Sequence, residues 1–143
     1  MPPAERTTTE QLDETFQTSF PARTDAVPRA RRAFADWLCR RTDDEVADEL
    51  EIVFSELAAN AVDASPDDGE QVTGRAWCDG SDLVIDLTNR ADPNAQEGPR
   101  WDLDDPLRTG GRGLVITEAL VDSMEVRLEP GQRLVVRCRR RLD

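Results

Sequence analysis

Histidine is absent from this chain of 143 residues, and so is lysine. Without histidine the chain cannot form a phosphohistidine, a Ser-His triad or a histidine-ligated metal site of its own. Without lysine it also lacks the phosphate-binding lysine of a Walker-type loop. Every basic side chain is therefore an arginine, and any phosphate site in this chain must work without a lysine.

Cysteine is scarce as well. Cys39, Cys78 and Cys138 lie far apart and form no Cys-x-x-Cys pair. A structural zinc site is therefore not expected, because such sites need clustered cysteine and histidine ligands. We expect three buried, reduced thiols, since a free cysteine behaves as a small apolar residue.

Long apolar runs are also missing. No stretch approaches the length of a membrane span, and residues 1–14 lack the apolar centre of a signal peptide. We therefore expect a cytoplasmic protein that makes no membrane contact. The formal net charge of −12 and the isoelectric point near 4.4 argue against direct binding to nucleic acid. They are compatible with a protein partner that presents a basic surface.

The order of predicted elements indicates one folded domain over residues 15–143, after a polar, disordered tail at residues 1–14. Hydrophobic periodicity and turn signals predict β-α-α-β-β-loop-α-β-β. This order is typical of an α+β fold in which helices cover one face of a mixed sheet. The predicted bounds are 15–22 for the first strand, 25–40 and 42–65 for two helices, 71–78 and 82–89 for a hairpin, 111–121 for a third helix, and 124–128 and 133–139 for the last hairpin.

Two short motifs carry chemistry. Glu56 and Asn60 are four residues apart on the second predicted helix, so they share one side of it. A carboxylate can activate an attacking oxygen, and a carboxamide oxygen can ligate Mg²⁺. After a loop of about twenty residues, Arg90–Thr109, the sequence Gly110-Gly111-Arg112-Gly113-Leu114 opens the third helix. Glycines at a helix start can cradle phosphates, so the two motifs together predict a nucleotide site.

These motifs, in this order and spacing, resemble those of the GHKL (histidine kinase/Hsp90-like) ATPase superfamily. The chain is most similar to the small bacterial kinases that phosphorylate serine and regulate sigma factors, in their actinobacterial form. Phe54–Val62 resembles the N-box of that family, and Gly110–Leu114 followed by Glu118–Asp122 resembles its G2 box. The likeness covers residues 16–140 and implies a two-layer α/β sandwich of the Bergerat type.

The resemblance implies a role for each matched residue. Asn60 would ligate the Mg²⁺ that bridges the ATP phosphates, and Glu56 would be the general base that takes the proton of a partner's serine hydroxyl. The backbone amides of the glycine motif would hold the phosphates, and one arginine there would add positive charge. The residues of this motif are Gly110, Gly111, Arg112, Gly113 and Leu114.

The adenine side departs from the family pattern. The resemblance places an acceptor for the adenine amino group at the end of the strand before the loop, where the family has Asp and this chain has Asn89. Asp92 is a substitute acceptor three residues later. Ala91 and Pro93 stand where the family has glycines, so close approach of the backbone to the nucleotide is less favoured. The loop at about residues 90–110 would be the lid.

Three functions follow from these observations. The first is an anti-sigma regulator that binds ATP and Mg²⁺, sequesters a sigma factor and phosphorylates a serine of an antagonist protein. The second is a pseudokinase that uses the same fold only to bind proteins, and the third is an unrelated α+β interaction domain.

A homodimer through the edge strand at Thr15–Phe20 is compatible with the resemblance. The arginines at 137 and 139–141 are read as a solvated strand end, or as a docking edge.

Overall fold

The computed structural model describes residues 15–67, 69–90 and 112–142. The predicted tail at residues 1–14 lies outside these ranges, and so does the lid predicted at about residues 90–110, apart from Arg90. Asp92, Gly110 and Gly111 lie outside them too. For Arg112, Gly113 and Leu114, only the helical backbone is described.

The described residues form the predicted order of helices and strands. The elements are β1 (Thr15–Pro21), α1 (Val27–Leu38), α2 (Asp44–Ala64), β2 (Gln71–Asp79), β3 (Asp82–Arg90), α3 (Arg112–Leu120), β4 (Ser123–Glu129) and β5 (Arg133–Arg141). Alternating apolar residues form the strands, and apolar residues at spacings of three and four form the helices, as the periods of the two structures require. The α+β class is therefore confirmed.

The helix starts differ from the prediction by one or two residues. The residue that caps α2 is Asp43 rather than Thr42, and its Oδ1 accepts a hydrogen bond of 2.9 Å from the amide of Val46. A carboxylate accepts an amide hydrogen bond more strongly than a hydroxyl does, which favours Asp43 in this role. α1 begins at Val27 because Thr24–Ala26 form a separate 3-10 turn.

The sheet has the strand order β1-β2-β3-β5-β4, and all four neighbouring pairs are antiparallel. The expectation of a mixed sheet was therefore wrong. The connection through α3 returns the chain so that β4 runs in the same direction as β3. However, the β4–β5 hairpin places β5 between them, so the two parallel strands never pair.

The helices lie on one face of this sheet and build the core with it. Phe34 of α1 and Phe54 of α2 stack with ring centroids 4.7 Å apart. Phe54 lies directly over Gly74 of β2, where an added Cβ would come within 3.1 Å of its ring. Among the described residues, no helix is long and apolar enough to cross a membrane. The strand residues that face the helices include Phe16, Phe20, Val72, Ala76, Leu83, Ile85, Leu87, Leu134, Val136 and Cys138.

Candidate functional site

α2 positions the two residues of the first motif. Its buried side consists of Leu50, Val53, Phe54, Leu57, Ala58 and Ala61. Glu56 and Asn60 flank this apolar stripe one turn apart, and each is half-buried. The helical spacing thus places a carboxylate and a carboxamide at the border between the core and the surface.

The carboxylate of Glu56 has no hydrogen bond or ion pair with any residue in the described ranges. Glu49, two turns earlier on α2, differs because its Oε1 accepts a hydrogen bond of 2.8 Å from Arg140. A carboxylate that is free of a salt bridge can accept a proton or a donor from a bound molecule. Glu56 therefore meets the first chemical requirement of a base.

Asn89, which the resemblance places at an acceptor position, is almost completely buried, with 2% of its surface exposed. Alternation along β3 places its side chain on the helix-facing side with Leu83, Ile85 and Leu87. Its Nδ2 donates a hydrogen bond of 3.1 Å to the carbonyl of Arg90. This bond sets the orientation of the amide, so the Oδ1 is left as a free acceptor.

Two buried side-chain polar atoms lack a hydrogen-bond partner within the described residues, and they are Asn60 Nδ2 and Asn89 Oδ1. A buried polar atom without a partner costs about 1–3 kcal/mol, so proteins rarely leave one without a reason. Both atoms belong to residues that the sequence had singled out for a nucleotide. A polar ligand would satisfy both atoms.

The chain topology places these two asparagines at the same end of the molecule. α2 packs on β2 and β3, and the chain passes from the end of α2 at Ala64 into β2 at Gln71. β2 and β3 are antiparallel with Thr73 opposite Thr88, so Asn89 lies beside the start of β2. Asn60 is one turn before the end of α2. Both side chains therefore lie where α2, β2 and β3 meet.

The helix predicted to follow the glycine motif is α3, which begins at Arg112 and packs against α2. Arg140 of β5 fixes its other end. The Nη1 of Arg140 donates to the carbonyl of Leu120 at 2.8 Å, and its Nη2 donates to Glu49 at the same distance. A cation at the carbonyl end of a helix is favourable because that end carries partial negative charge. Arg140 thus joins α2, α3 and β5.

This contact corrects the interpretation of the arginine run as a solvated strand end. The side chain of Arg140 is only 22% exposed. The sequence pattern did not predict the contact of Arg140 with α2 and α3, although the alternation along β5 indicated which way its side chain faces. Leu134, Val136 and Cys138 are buried on the helix-facing side, and the same alternation continues to Arg140. The partner Glu49 is 91 positions away in the sequence and could not be identified from local pattern.

Arg137 is also paired, on the sheet face opposite the helices. Its Nε and Nη2 donate to the two carboxylate oxygens of Asp86 at 2.7 and 2.8 Å. Asp86 is buried, with 5% of its surface exposed. The hydrogen bond to Asp86 is the main reason why the pKa of Arg137 is raised above its ordinary value.

All three cysteines are reduced, as expected, but only one of them is buried. The expectation of three buried thiols was wrong for Cys39, which follows the last residue of α1, and for Cys78, which lies near the end of β2. Cys138 lies in the core. Burial raises the pKa of its thiol to about 12, and the nearby charge of Asp86 adds to this effect. Cys138 is therefore unreactive at neutral pH.

The arrangement offers three chemical groups at one end of the helix layer. Asn89 presents a buried acceptor for an amino group. Asn60 presents a carboxamide whose oxygen can ligate a hard cation, and Glu56 presents a carboxylate without a described partner. The structure does not describe the predicted phosphate-binding residues Gly110 and Gly111. It does place the start of α3 immediately after them.

Comparison with known proteins gives one informative result. The model of the histidine kinase-like ATPase domain family matches residues 20–139. The match covers more than half of the chain and includes every candidate residue from Glu56 to Leu114. A search of curated proteins finds no match.

Proposed function

Because the chain belongs to the histidine kinase-like ATPase domain family, we propose that it is an ATP- and Mg²⁺-binding kinase that phosphorylates a serine of a partner protein. Membership in this family implies ATP binding, typically with Mg²⁺. The observation that carries the proposal is the pair of buried, unpartnered atoms, Asn60 Nδ2 and Asn89 Oδ1. They belong to the two residues that stand at the positions to which the resemblance assigns the metal and adenine. The family match contradicts the interpretation as an unrelated α+β interaction domain.

The residues present fit this ligand. The Oδ1 of Asn89 would accept a hydrogen bond from the amino group of adenine, an interaction for which its amide is already oriented. The carboxamide oxygen of Asn60 would hold Mg²⁺, which normally takes few protein oxygens and completes its shell with phosphate and water oxygens. Within the described residues, the chain topology places the buried acceptor and the carboxamide at the same end of the helix layer.

Each group would have one task in the transfer. When bound, ATP would supply the phosphoryl group and Mg²⁺ would neutralise the phosphate charge. Glu56 would orient the serine hydroxyl and take its proton, since its carboxylate is free of any described partner. The amides of Gly110, Gly111 and Gly113 would hold the phosphates, with Arg112 supplying positive charge and Leu114 following in the same helical turn.

We further propose the biological setting that the resemblance implies. The protein would sequester a sigma factor in the cytoplasm and phosphorylate a small antagonist protein. A phosphoserine on the antagonist would be repelled by an acidic surface, which would release the antagonist. α2 supplies such a surface, because Asp44–Ala64 contains seven acidic residues and no basic one. A homodimer through the exposed edge of β1 would be compatible with this arrangement.

The phosphotransfer test uses γ-labelled ATP, Mg²⁺, the protein and a candidate antagonist. We expect label on a serine of the antagonist with the wild type. In Glu56→Gln, we expect transfer to fall by about 10²-fold or more, since general-base catalysis contributes about that much. ATP affinity should stay near the wild-type value, because Glu56 faces the nucleophile rather than the adenine. If Glu56→Gln transferred as much label as the wild type, Glu56 would not be the general base.

The alternative is a pseudokinase, and three residues favour it. Asn89 replaces the acidic acceptor, and Ala91 and Pro93 replace glycines at the matched positions. The two functions predict different outcomes in the same assay. A pseudokinase would bind its protein partners but leave no label on them, whether or not it retains nucleotide binding.

A further inference from the structure

The sheet face opposite the helices carries more positive than negative side chains, unlike the protein as a whole. We call it the open face. It consists of the odd-numbered residues of β1, β2, β4 and β5 and the even-numbered residues of β3, which the strand register places side by side. The helix layer packs on the other face, so no described helix covers this one.

Charge is distributed unequally between the two faces of the molecule. The open face carries seven arginines and five acidic residues, in a chain whose formal net charge is −12. α2, on the other side of the sheet, carries seven acidic residues and no basic one. The open face is therefore a positive surface on an acidic protein, and it attracts the opposite kind of partner from the one that α2 attracts.

Every acidic residue of the open face is already paired with an arginine of the same face. Asp86 pairs with Arg137, as described above. Arg139 lies 3.1 Å from Asp79 and 3.6 Å from Asp82, measured between its Nη1 and a carboxylate oxygen of each. Arg127 contacts Glu125 and Glu129 at 2.8 and 3.2 Å. An incoming carboxylate would therefore meet no unpaired acid on this face.

Three arginines of the open face form no ion pair within the described ranges, and they are Arg75, Arg133 and Arg141. Arg75 and Arg133 line one pocket, whereas Arg141 lies apart from them, beside Asp79 and Asp82. The guanidinium of Arg75 lies over the ring of Trp77, 5.3 Å from its centroid. Arg75 and Arg133 both line a shallow pocket of about 400 Å³, together with Thr73, Thr88 and two carboxylates, Asp86 and Glu129, that are already paired with arginines. The pocket thus combines free guanidinium groups with hydroxyls, which suits carboxylate oxygens.

We propose that the open face binds an acidic segment of a partner protein, with Arg75 and Arg133 as the residues that pair with its carboxylates. The planar guanidinium group matches a carboxylate with two parallel hydrogen bonds. A short acidic segment needs only the two arginines of this pocket, whereas a nucleic acid would bring a long run of phosphates toward a protein of net charge −12. Since the nucleotide site lies in the helix layer, this interaction does not depend on ATP or on kinase activity.

The test uses the full chain and a fluorescein-labelled peptide of alternating glutamate and serine, with anisotropy as the readout. The double variant Arg75→Gln/Arg133→Gln should bind the peptide about tenfold more weakly or worse, since it loses both charge-assisted contacts. The matched control is Arg29→Gln/Arg32→Gln on α1, where both side chains are exposed and have no described ion pair. It changes the net charge equally and should bind within about twofold of the wild type.

Several results would overturn the proposal. Equal losses in the two double variants would show that only the overall charge matters, and no binding at millimolar peptide would show that the face is not a docking site. Tighter binding of an oligouridylate that depends on Arg75 and Arg133 would assign the face to nucleic acid. A dimer in sedimentation that dissociates in Arg75→Gln/Arg133→Gln would assign it to a second copy of the chain. Arg75 and Arg133 are exposed, so an unchanged unfolding temperature will separate lost binding from lost folding.

Discussion

Two asparagine side chains carry most of the functional argument at the scale of the residue. By the resemblance, Asn89 stands where the family has an aspartate, and its side chain still supplies a buried acceptor. Its Nδ2 is committed to the carbonyl of Arg90, so its Oδ1 is left without a partner. Such an atom reduces the stability of the free protein and becomes favourable when a donor arrives. The substitution therefore does not by itself remove an adenine site.

We predict that Asn89→Leu weakens ATP binding by about tenfold or more, because one hydrogen bond in a buried site contributes about 1–2 kcal/mol. Folding stability should change by less than about 1 kcal/mol, since the variant loses the bond to Arg90 but also removes an unpartnered buried oxygen. Calorimetric titration and urea unfolding would measure the two quantities. Wild-type affinity in this variant would show that Asn89 does not contact the nucleotide.

The thiols give a second prediction at this scale. Cys39 and Cys78 should react rapidly with a thiol reagent, and Cys138 should react only when the protein unfolds. Burial raises the pKa of Cys138 from 9.0 to about 12. Its contribution to stability is therefore fully present below pH 9 and is lost as the pH rises toward 12. Unfolding measured across this range should show a smaller pH dependence in Cys138→Ala than in the wild type, and an equal dependence would contradict the assignment.

At the scale of the element, Arg140 determines how α2, α3 and β5 lie relative to one another. One guanidinium group binds the carbonyl end of α3 and a carboxylate of α2. α2 carries Glu56 and Asn60, while the opposite end of α3 follows the glycine motif. Under the proposed function, Arg140 would therefore position the phosphate-binding end of α3 relative to the metal ligand.

We predict that Arg140→Met weakens the binding of ATP with Mg²⁺ by about tenfold, because misplaced helices lose charge-assisted contacts to phosphate. Under the proposed function, adenosine would contact only the Asn89 side, so it should bind Arg140→Met within about twofold of its wild-type affinity. Arg141→Met is the matched control, because its exposed side chain has no described ion pair. Equal losses for ATP and adenosine would mean that Arg140 supports the fold in general rather than the phosphate site.

The sequence predicted local features well and long-range pairing poorly. The spacing of Glu56 and Asn60 and the alternation in β3 follow from the periods of a helix and a strand, so they could be read directly. The antiparallel sheet could not, because it depends on β5 lying between β3 and β4. The partner of Arg140 and the amide orientation of Asn89 are also set by tertiary contacts. The local sequence pattern contains no information on the partner of Arg140 or on the orientation of the Asn89 amide.

At the scale of the whole molecule, charge and chemistry are divided among three surfaces. The acidic α2 is in the helix layer, the candidate nucleotide site lies where α2, β2 and β3 meet, and the open face has a positive balance on the other side of the sheet. Two protein partners of opposite charge could therefore bind without sharing a surface. Binding at either charged surface should weaken as the salt concentration rises, because both surfaces are exposed.

The proposed nucleotide site is best tested by calorimetric titration of the protein with ATP, in the presence and in the absence of Mg²⁺. If Asn60 holds the metal, binding should depend on Mg²⁺ in the wild type, persist in Asn60→Asp, which keeps an oxygen ligand, and be lost in Asn60→Ala. No detectable heat at millimolar ATP would contradict it. So would binding that needs no Mg²⁺ and is unchanged in Asn60→Ala.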